Sequence, residues 1–326
     1  MRTRKIGSSG IDASVVGLGT WAIGGWLWGG SDEADSINAI RAALDCGITL
    51  IDTAPVYGQG VSEEVVGKAI KGRREQVVLA TKCGLVWHET RGTHYFNIGE
   101  KAVYKYLGAD SIRYEVEQSL RRLQTDYLDL YQTHWQDPTA PISETMDALL
   151  ELKQEGKIRA IGVSNASIEQ IKEYEELGKL DSAQERYSML DRGLEQDRLP
   201  YCREHGISLL AYSPLALGLL TGRIGPEREF EGDDLRKNNK RFSVENRRKV
   251  AALLAEFAPV AAVHNATPAQ IVIAWTLAQP GMTFVLCGAR KPQHARENAK
   301  AGDIVLSPEE LALMDAAIAR HATDIP

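Results

Sequence analysis

The stretch Thr49–Ile70, TLIDTAPVYGQGVSEEVVGKAI, decides the fold class of this chain. It begins with an apolar run, TLIDT, of the kind found in strands that are buried on both faces. Proline and glycine then mark a turn, and SEEVVGKAI has the pattern of an amphipathic helix with Ser62 as its expected N-cap and Glu63 and Glu64 in its first turn. The stretch therefore predicts a buried strand that is followed directly by a helix.

The same strand-then-helix unit recurs along the whole chain. Eight apolar runs, each followed by a helical pattern, are SVVGLG, TLIDT, VVLATK, YLDLYQTH, IRAIGVSN, SAQERYS, SLLAYSP and TFVLCGA. This alternation predicts parallel strands joined by helices, and eight units most economically close into a (β/α)8 TIM barrel. We also expect a β-hairpin in residues 2–14 and extra helices near the C-terminus. No linker divides the chain, so residues 1–326 are expected to form a single barrel domain.

Composition and charge are those of an ordinary globular protein, and they exclude several functions. Of the 326 residues 44% are hydrophobic and 25% are charged, and the net charge is −6. Nucleic-acid binding without sequence preference needs a basic face, and the negative net charge therefore argues against a nucleic-acid partner. The uncharged run 13–31 contains six glycines and is a poor membrane-spanning helix. The four cysteines lack metal or disulfide spacing, so we expect no metal site and a cytoplasmic location.

One motif in the first unit resembles a nucleotide-binding fingerprint. GLGTWA, from Gly17 to Ala22, matches the GxGxxG/A pattern of Rossmann folds. In those folds the third position of the pattern opens a helix, whereas here TWAIGGWLWGGSD has no helical period before about Asp32. The match is rejected, and any nucleotide must be held in another way.

Polar residues collect where the second, third and fourth predicted strands end. Chemistry in a (β/α)8 barrel lies at the carboxyl ends of the strands, and the residues found there are Asp52, Tyr57, Lys82 and His134. Each has an ordinary structural explanation when it is taken alone, as a capping aspartate, a lysine that reaches solvent or a core histidine. Because all four are expected on one rim of one barrel, their combination predicts a site of proton transfer.

The chemistry of these side chains suits a carbonyl oxygen that becomes an alkoxide. The Lys82 ammonium would lower the pKa of the Tyr57 phenol, which is about 10 when unperturbed. Asp52 would hold the lysine by a charge-assisted hydrogen bond, and His134 would donate a second hydrogen bond to the substrate oxygen. Tyr57 would then deliver the proton as negative charge develops.

Six motifs together resemble the successive motifs of the aldo-keto reductase superfamily, namely GLGTW, IDTAPVYGQGVSEEVVGKAI, LATKCG, SLRRLQTDYLDLYQTHWQDP, IRAIGVSN and LLAYSPLALGLLTG. The resemblance spans nearly the whole chain and is closest to the bacterial general-stress and inositol-locus type reductases, relatives of the potassium-channel β subunits. It implies that the four rim residues form the family's catalytic tetrad, with Tyr57 as general acid/base. It also implies hydride transfer from the nicotinamide C4 of NADPH to an aldehyde or ketone.

The resemblance implies a set of cofactor contacts across the barrel mouth. The residues expected at the nicotinamide are Ser164, Asn165 and Gln184 for the carboxamide and Tyr212 for the ring. The residues expected along the pyrophosphate are Ser213, Leu215 and Gly218. Further contacts are expected from the ends of the first, second and last strands and from the last strand's helix, at Gly19, Thr20, Trp21, Asp52, Gly288, Arg290, His294, Glu297 and Asn298.

The last nucleotide segment, CGARKPQHAREN, departs from the family pattern. The aldose-reductase branch has a Lys-Ser pair where this chain has Gly288 and Ala289. Arg290, helped by Lys291, would replace the missing charge at the 2′-phosphate, because a guanidinium fork suits phosphate oxygens. A solvated turn is the alternative explanation. His294 stands where related branches usually have glutamine or arginine, and we predict NADPH rather than NADH.

Two connections are longer than usual and are expected to form walls or lids at the active face, residues 83–110 and 215–242. The candidate substrate contacts are Trp21, Tyr57, Trp87, His134 and Trp135. The neighbouring Gln136 and Asp137 would admit a sugar-like or polyol-like carbonyl substrate. Two alternatives remain open at this stage: a cofactor-binding sensor with little turnover, and a different barrel enzyme such as an isomerase or lyase.

Overall fold

In the computed structural model, which describes residues 1–326, eight parallel strands close into a barrel. Numbered in chain order among all strands, they are β3 (Val16–Gly19), β4 (Leu50–Asp52), β5 (Val78–Cys83), β9 (Leu128–Thr133), β10 (Ile158–Ser164), β11 (Ser182–Arg186), β12 (Ser208–Tyr212) and β13 (Met282–Gly288). Each strand pairs with the next barrel strand in the chain, and β13 pairs with β3 to close the circle. The predicted TIM barrel is confirmed.

Helices cover the outside of the barrel. They are α1 (Glu33–Asp45), α2 (Val61–Ile70), α3 (Ala109–Leu123), α4 (Ile142–Gln154), α5 (Ile168–Leu177), α6 (Arg198–His205), α7 (Val244–Glu256), α8 (Ala258–Val263), α9 (Pro268–Ala278), α10 (Pro292–Lys300) and α11 (Pro308–His321). The strands and helices share a continuous apolar core of 72 buried residues. None of these helices combines the length and the apolar character that crossing a membrane requires.

The start of α2 differs from the prediction. Its N-cap is Gly60, at φ +101°, and not Ser62. The side chain of Ser62 is buried and its Oγ donates to the backbone oxygen of Thr20, at 3.0 Å. Glycine tolerates this left-handed conformation, so the helix begins two residues earlier than predicted and the Ser62 side chain ties α2 to the end of β3.

An N-terminal hairpin closes one end of the barrel. It consists of β1 (Thr3–Lys5) and β2 (Asp12–Ser14), which pair in antiparallel fashion. Ile6 and Ile11 of this hairpin join an interior cluster with side chains of the barrel strands, among them Leu50, Leu130 and Phe284. Because the hairpin fills the amino end with apolar side chains, only the carboxyl end is left for a ligand.

The connection after β5 is more regular than a loop. It forms a three-stranded antiparallel sheet from β6 (Leu85–Val86), β7 (Thr93–Ile98) and β8 (Lys101–Lys105). Gly99, at φ +60°, makes the turn between β7 and β8. The connection after β12 does remain irregular, with short 3-10 turns at Ala216–Thr221 and Lys240–Phe242. Both connections rise at the carboxyl end of the barrel.

A close approach of α2 to α3 depends on Gly67. A Cβ atom at this position would lie 2.6 Å from the backbone oxygen of Arg122. We therefore predict that Gly67→Ala lowers the free energy of unfolding by about 1–3 kcal/mol despite the better helix propensity of alanine. Gly193→Ala is the control, because no atom lies within 4 Å of its added Cβ. Equal stability of the two variants in urea denaturation would contradict this account.

Candidate active site

A cavity of about 820 Å³ opens at the carboxyl end of the barrel. Lys291, expected to help at the 2′-phosphate, lies outside the lining, but most of the other predicted site residues line the cavity: Gly19, Thr20, Trp21, Asp52, Tyr57, His134, Trp135, Ser164, Asn165, Gln184, Tyr212, Ser213, Leu215, Gly218, Gly288, Arg290, His294, Glu297 and Asn298. Residues from distant parts of the sequence therefore meet at one site because parallel strands bring their carboxyl ends together.

The structure brings the four predicted rim residues together. The Lys82 Nζ donates to Asp52 Oδ1 at 2.6 Å, to the backbone oxygen of Thr53 at 2.9 Å and to the Tyr57 hydroxyl at 3.3 Å. Only 1% of Lys82 and 3% of Asp52 is exposed to solvent. The lysine does not reach solvent, and all three of its donors have partners inside the protein.

Burial raises the pKa of the Tyr57 phenol above its ordinary value. The Lys82 ammonium opposes this effect and the Asp52 carboxylate adds to it. The prediction from the sequence was a lowered pKa, because it took account of the Lys82 charge and not of the desolvation of the Tyr57 phenol. That prediction is wrong in its net direction. The phenol is therefore protonated at neutral pH and has a proton to give.

The pKa of Lys82 is itself set by opposing effects. Burial lowers the pKa of the ammonium, but Asp52 and Tyr57 raise it, and the net direction is upward. His134 lies next to the phenol, with its ring edge-on to the Tyr57 ring at a centroid distance of 5.7 Å. Burial, assisted by the charge of Lys82, holds the pKa of His134 well below its usual value, so the imidazole is neutral.

A second group of polar side chains follows the strands on the far side of the barrel. The Gln184 Nε2 donates to Asp52 Oδ2 at 2.7 Å, and the Ser164 hydroxyl donates to the backbone oxygen of Gln184 at 2.8 Å. The Asn165 amide donates to the backbone oxygen of His134 at 2.9 Å and accepts from the Tyr212 hydroxyl at 2.7 Å. These hydrogen bonds connect the predicted cofactor residues to the predicted catalytic ones.

Backbone strain is concentrated at this cavity. Four non-glycine residues that follow β10 and β12 have positive φ, namely Asn165 (+53°), Ser213 (+55°), Ala216 (+46°) and Leu217 (+58°). Such conformations cost about 1–3 kcal/mol each and cluster at functional sites. The strained turn after β12 shapes the cavity edge where Leu215 and Gly218 lie.

The other end of the cavity carries positive charge. The Arg290 Nη1 donates to the backbone oxygens of Trp28, at 3.0 Å, and Gly30, at 2.8 Å. Arg223 forms an ion pair with Glu297. Burial lowers the pKa of His294, and the charge of Arg223 lowers it further. Arg290 thus fastens the loop after β3 and lines this end of the cavity.

Several wall residues were not predicted from the sequence. Trp26 and Trp28 from the loop after β3, and Tyr95 and Phe96 from β7, line the cavity. The rings of Trp26 and Phe96 stack at 5.3 Å and join these two segments. The aromatic content of both segments was a usable signal, but the sequence does not reveal which rings face the cavity.

The cavity lining omits three residues that were expected near the substrate. Trp87 packs beside a small apolar cluster that includes Leu85 and Val103, and it lies outside the lining. The Gln136 amide donates to the backbone oxygen of Ser164 at 3.1 Å, and Asp137 accepts from the backbone N–H of Leu107 at 3.1 Å. Both polar side chains therefore serve structural hydrogen bonds and lie outside the cavity lining.

A buried carboxyl group holds the chain just after Lys82. The backbone N–H of Gly84 donates to both carboxyl oxygens of Glu115 on α3, each at 3.1 Å. Burial raises the pKa of Glu115 to about 8, and this shift is opposed by the bond from Gly84 and increased by Glu63. At neutral pH the folded protein therefore keeps this group largely protonated.

This shift predicts a pH dependence of stability. The unfolded-state pKa of Glu115 is near 4.5 and the folded-state value is about 8. Between these values the folded chain holds the extra proton, so its stability falls as pH rises, by up to about 1.4 kcal/mol per pH unit. We predict that Glu115→Gln flattens this decline, as measured by urea denaturation between about pH 5 and 8. Glu117→Gln, at a half-exposed position of the same helix whose carboxylate pairs with Lys157, should keep the wild-type slope, and identical slopes in all three proteins would contradict the assignment.

Comparison with known proteins agrees with this architecture. The model of the aldo/keto reductase family matches residues 15–319. The chain therefore belongs to the aldo/keto reductase family and is an oxidoreductase, as its motifs predicted.

Individual relatives cover almost the whole chain. It is 46% identical to the aldo-keto reductase YhdN of Bacillus subtilis over 295 residues, which are 90% of this chain and 86% of that protein. It is 45% identical to the NADH-specific methylglyoxal reductase of Escherichia coli, over 96% of this chain and 97% of that protein.

Solved structures also resemble this chain over almost its whole length. The glycerol dehydrogenase of Gluconobacter oxydans superposes with a TM-score of 0.88 at 40% identity, covering 99% of this chain and 96% of that one. An aldo/keto reductase of Klebsiella pneumoniae, in complex with NADP and acetate, superposes with a TM-score of 0.73 at 33% identity, covering 97% of this chain and 95% of that one.

Proposed function

We propose that this protein reduces an aldehyde or ketone to an alcohol with NADPH, and that Tyr57 is the proton donor. The observation that carries the proposal is the contact between the Tyr57 hydroxyl and the buried Lys82 ammonium at the floor of the cavity, at 3.3 Å. The neutral His134 beside it supplies one N–H donor for the same substrate oxygen. The reaction is reversible in principle, because the same phenol can take the proton back.

The residues present fit a dinucleotide. The cavity is long, it ends in positive charge at Arg290, and it is bordered by the amide groups of Asn165 and Gln184. The indole N–H of Trp28, which also lines it, is buried without a partner. NADPH, when bound, supplies a hydride from nicotinamide C4. Ser164, Asn165 and Gln184 would hold the carboxamide, with Tyr212 against the ring and Arg290 at the 2′-phosphate.

The chain's own side chains manage the charge that develops on the substrate oxygen. As the carbonyl carbon gains the hydride, its oxygen becomes negative, and the Tyr57 O–H and a His134 N–H stabilise it. The proton then passes from Tyr57 to the oxygen, which leaves a phenolate next to Lys82. Because Asp52 keeps Lys82 charged and aimed, the phenolate is stabilised where it forms.

The substrate class follows from the walls of the cavity. Around Tyr57 the walls are aromatic, with Trp21, Trp26, Phe96 and Trp135. We propose a small uncharged carbonyl compound, because the side chains around Tyr57 are mainly aromatic and aromatic faces favour flat or apolar bodies. Two relatives, a methylglyoxal reductase and a glycerol dehydrogenase, are consistent with small carbonyl and alcohol substrates.

The proposed location is a reducing compartment such as the cytoplasm. All four cysteines are free, and Cys83, Cys202 and Cys287 are buried. Disulfides are rare in such compartments, so free thiols agree with this location.

The role of Tyr57 is tested by removing its hydroxyl. Tyr57→Phe should lower turnover by about two orders of magnitude or more, the usual scale for general acid catalysis. The measurement is NADPH oxidation with a panel of small aldehydes and ketones. Tyr131→Phe is the matched control, since the buried Tyr131 hydroxyl lies outside the cavity lining, beside the Cys83 thiol, and its loss should leave turnover unchanged. Near-normal turnover of Tyr57→Phe would refute the assignment, and tight NADPH binding without oxidation in the wild type would favour the sensor alternative.

The preference for NADPH is tested at Arg290. The relative from Escherichia coli is NADH-specific by name, whereas the Klebsiella structure contains NADP. The cofactor preference of this chain therefore has to be inferred from its own residues. Arg290→Ala should weaken NADPH binding by about tenfold more than NADH binding, because only NADPH has the 2′-phosphate.

A control separates this charge effect from the fastening of the loop after β3. Asp233 fastens the same loop, since its carboxylate accepts from the backbone N–H groups of Leu27, at 2.9 Å, and Gly29, at 3.0 Å. Asp233→Asn should therefore change the dissociation constants of NADPH and NADH by the same factor. An unchanged ratio of the two constants in Arg290→Ala would remove Arg290 from the phosphate site.

A further inference from the structure

A buried glutamine, Gln132, lies beside the Asp52 carboxylate and has no role in the site as predicted from the sequence. It belongs to β9 and has no exposed surface. In the barrel register it stands opposite Lys82 of β5 on one side and Gly162 of β10 on the other. Residues that are opposite one another on neighbouring strands point to the same face of a sheet. The side chain of Gln132 therefore enters the barrel interior next to that of Lys82.

The two oxygens of the Asp52 carboxylate have different partners. Oδ1 accepts from Lys82, at 2.6 Å. Oδ2 accepts from two amide groups, Gln184 Nε2 at 2.7 Å and Gln132 Nε2 at 3.3 Å. The Gln132 Oε1 in turn accepts from Gln184 Nε2, at 3.4 Å. Two neutral amides thus orient the carboxylate on the side that faces away from the lysine.

The barrel leaves room for this glutamine. A Cβ atom at Gly162 would lie 2.9 Å from Gln132 Cγ, so the missing Cβ leaves the space next to β10 that the Gln132 side chain occupies. The charged groups that face Gln132 are Asp52 from β4 and Lys82 from β5. From the other side β10 presents Gly162, and β11 presents the neutral Gln184. Gln132 is therefore the second neutral donor on Asp52, besides Gln184.

The two donors are not equivalent once a cofactor binds. Under the proposed function Gln184 accepts from the nicotinamide carboxamide through Oε1, so its amide group is shared between the cofactor and Asp52. Gln132 lies below Asp52, outside the cavity lining, and keeps its bond. A buried carboxylate that loses its donors becomes costly and free to turn.

We propose that Gln132 is a positioning residue that keeps the Asp52 carboxylate directed at Lys82 while the cofactor is bound. It acts through Asp52 and Lys82 on the proton transfer of Tyr57 and touches neither substrate nor cofactor. This inference rests on the proposed function of those residues. It predicts that Gln132 affects turnover without affecting the binding of the cofactor.

The first test removes the amide while keeping the length of the side chain. Gln132→Met should lower kcat for carbonyl reduction by about tenfold, the scale of one hydrogen bond to a charged group. The dissociation constant of NADPH, measured by tryptophan fluorescence, should stay within about threefold of the wild type. Thr276→Val is the control, because it removes a buried side-chain hydrogen bond on α9, from its hydroxyl to the backbone oxygen of Val272 at 3.0 Å. A wild-type kcat in Gln132→Met, or NADPH binding that weakens as much as kcat falls, would overturn the proposal.

A second variant distinguishes positioning from packing and decides the matter if Gln132→Met does not fold. In Gln132→Glu the introduced carboxyl group can donate to Asp52 when it is protonated and repels Asp52 when it is ionised. Its kcat should approach the wild-type value at low pH and fall as pH rises, in addition to any decline of the wild type. A purely structural role predicts the same loss at every pH, and that result would contradict the proposal.

The outcomes separate this inference from the proposed function. If Tyr57→Phe keeps full turnover, the proposed function fails whatever the Gln132 variants do. If Tyr57→Phe loses turnover while both Gln132 variants match the wild type in kcat and pH profile, only the positioning role fails.

Discussion

The ion pair between Lys82 and Asp52 is the interaction on which the site depends. Two charges held 2.6 Å apart and almost fully buried are tolerated only when their remaining hydrogen bonds are satisfied. The backbone oxygen of Thr53 and the Tyr57 hydroxyl satisfy the ammonium, and the amide of Gln184 satisfies the carboxylate. Loss of one partner would leave an uncompensated buried charge, at a cost of roughly 3–5 kcal/mol. The residues at the carboxyl ends of β4, β5 and β11 therefore supply the hydrogen bonds that this ion pair requires.

The barrel makes this arrangement possible by treating its two ends differently. The hairpin β1–β2 fills the amino end with apolar side chains such as Ile6 and Ile11. The carboxyl end is bordered by the sheet β6–β8 and by the long connection after β12, and the rings of Trp21, Phe96 and Trp135 limit the access of water to Tyr57. In a cavity with little water the interaction between Lys82 and a developing phenolate is strengthened, while the phenol of the free protein stays protonated. The same loss of water thus raises the pKa of Tyr57 and would strengthen the interaction that assists the proposed proton transfer.

Much of the candidate site could be predicted because strand ends in a parallel barrel converge whatever lies between them. Asp52, Lys82 and His134 could be placed on one rim from strand order alone. The net direction of the Tyr57 pKa could not, because burial is a property of all surrounding atoms and not of the nearest charge. Trp87 was predicted at the substrate but lies outside the cavity lining, just after the end of β6 and against the apolar cluster of Leu85 and Val103, because its position depends on the packing of this connection and not on strand order.

The sequence by itself determined the eight strand-and-helix units, the barrel that they form and the family of the protein, because apolar periodicity and turn residues act locally and recur in order. Only the tertiary structure decided which side chains share a hydrogen bond. Gln132 illustrates the difference, since in the sequence it is only one of the polar residues of its strand. In the folded chain the register of β9 against β5 and the missing Cβ of Gly162 bring its amide to Asp52, 80 residues away in the chain. Contacts of this kind depend on strand register and shared space, and these are set only when the whole barrel closes.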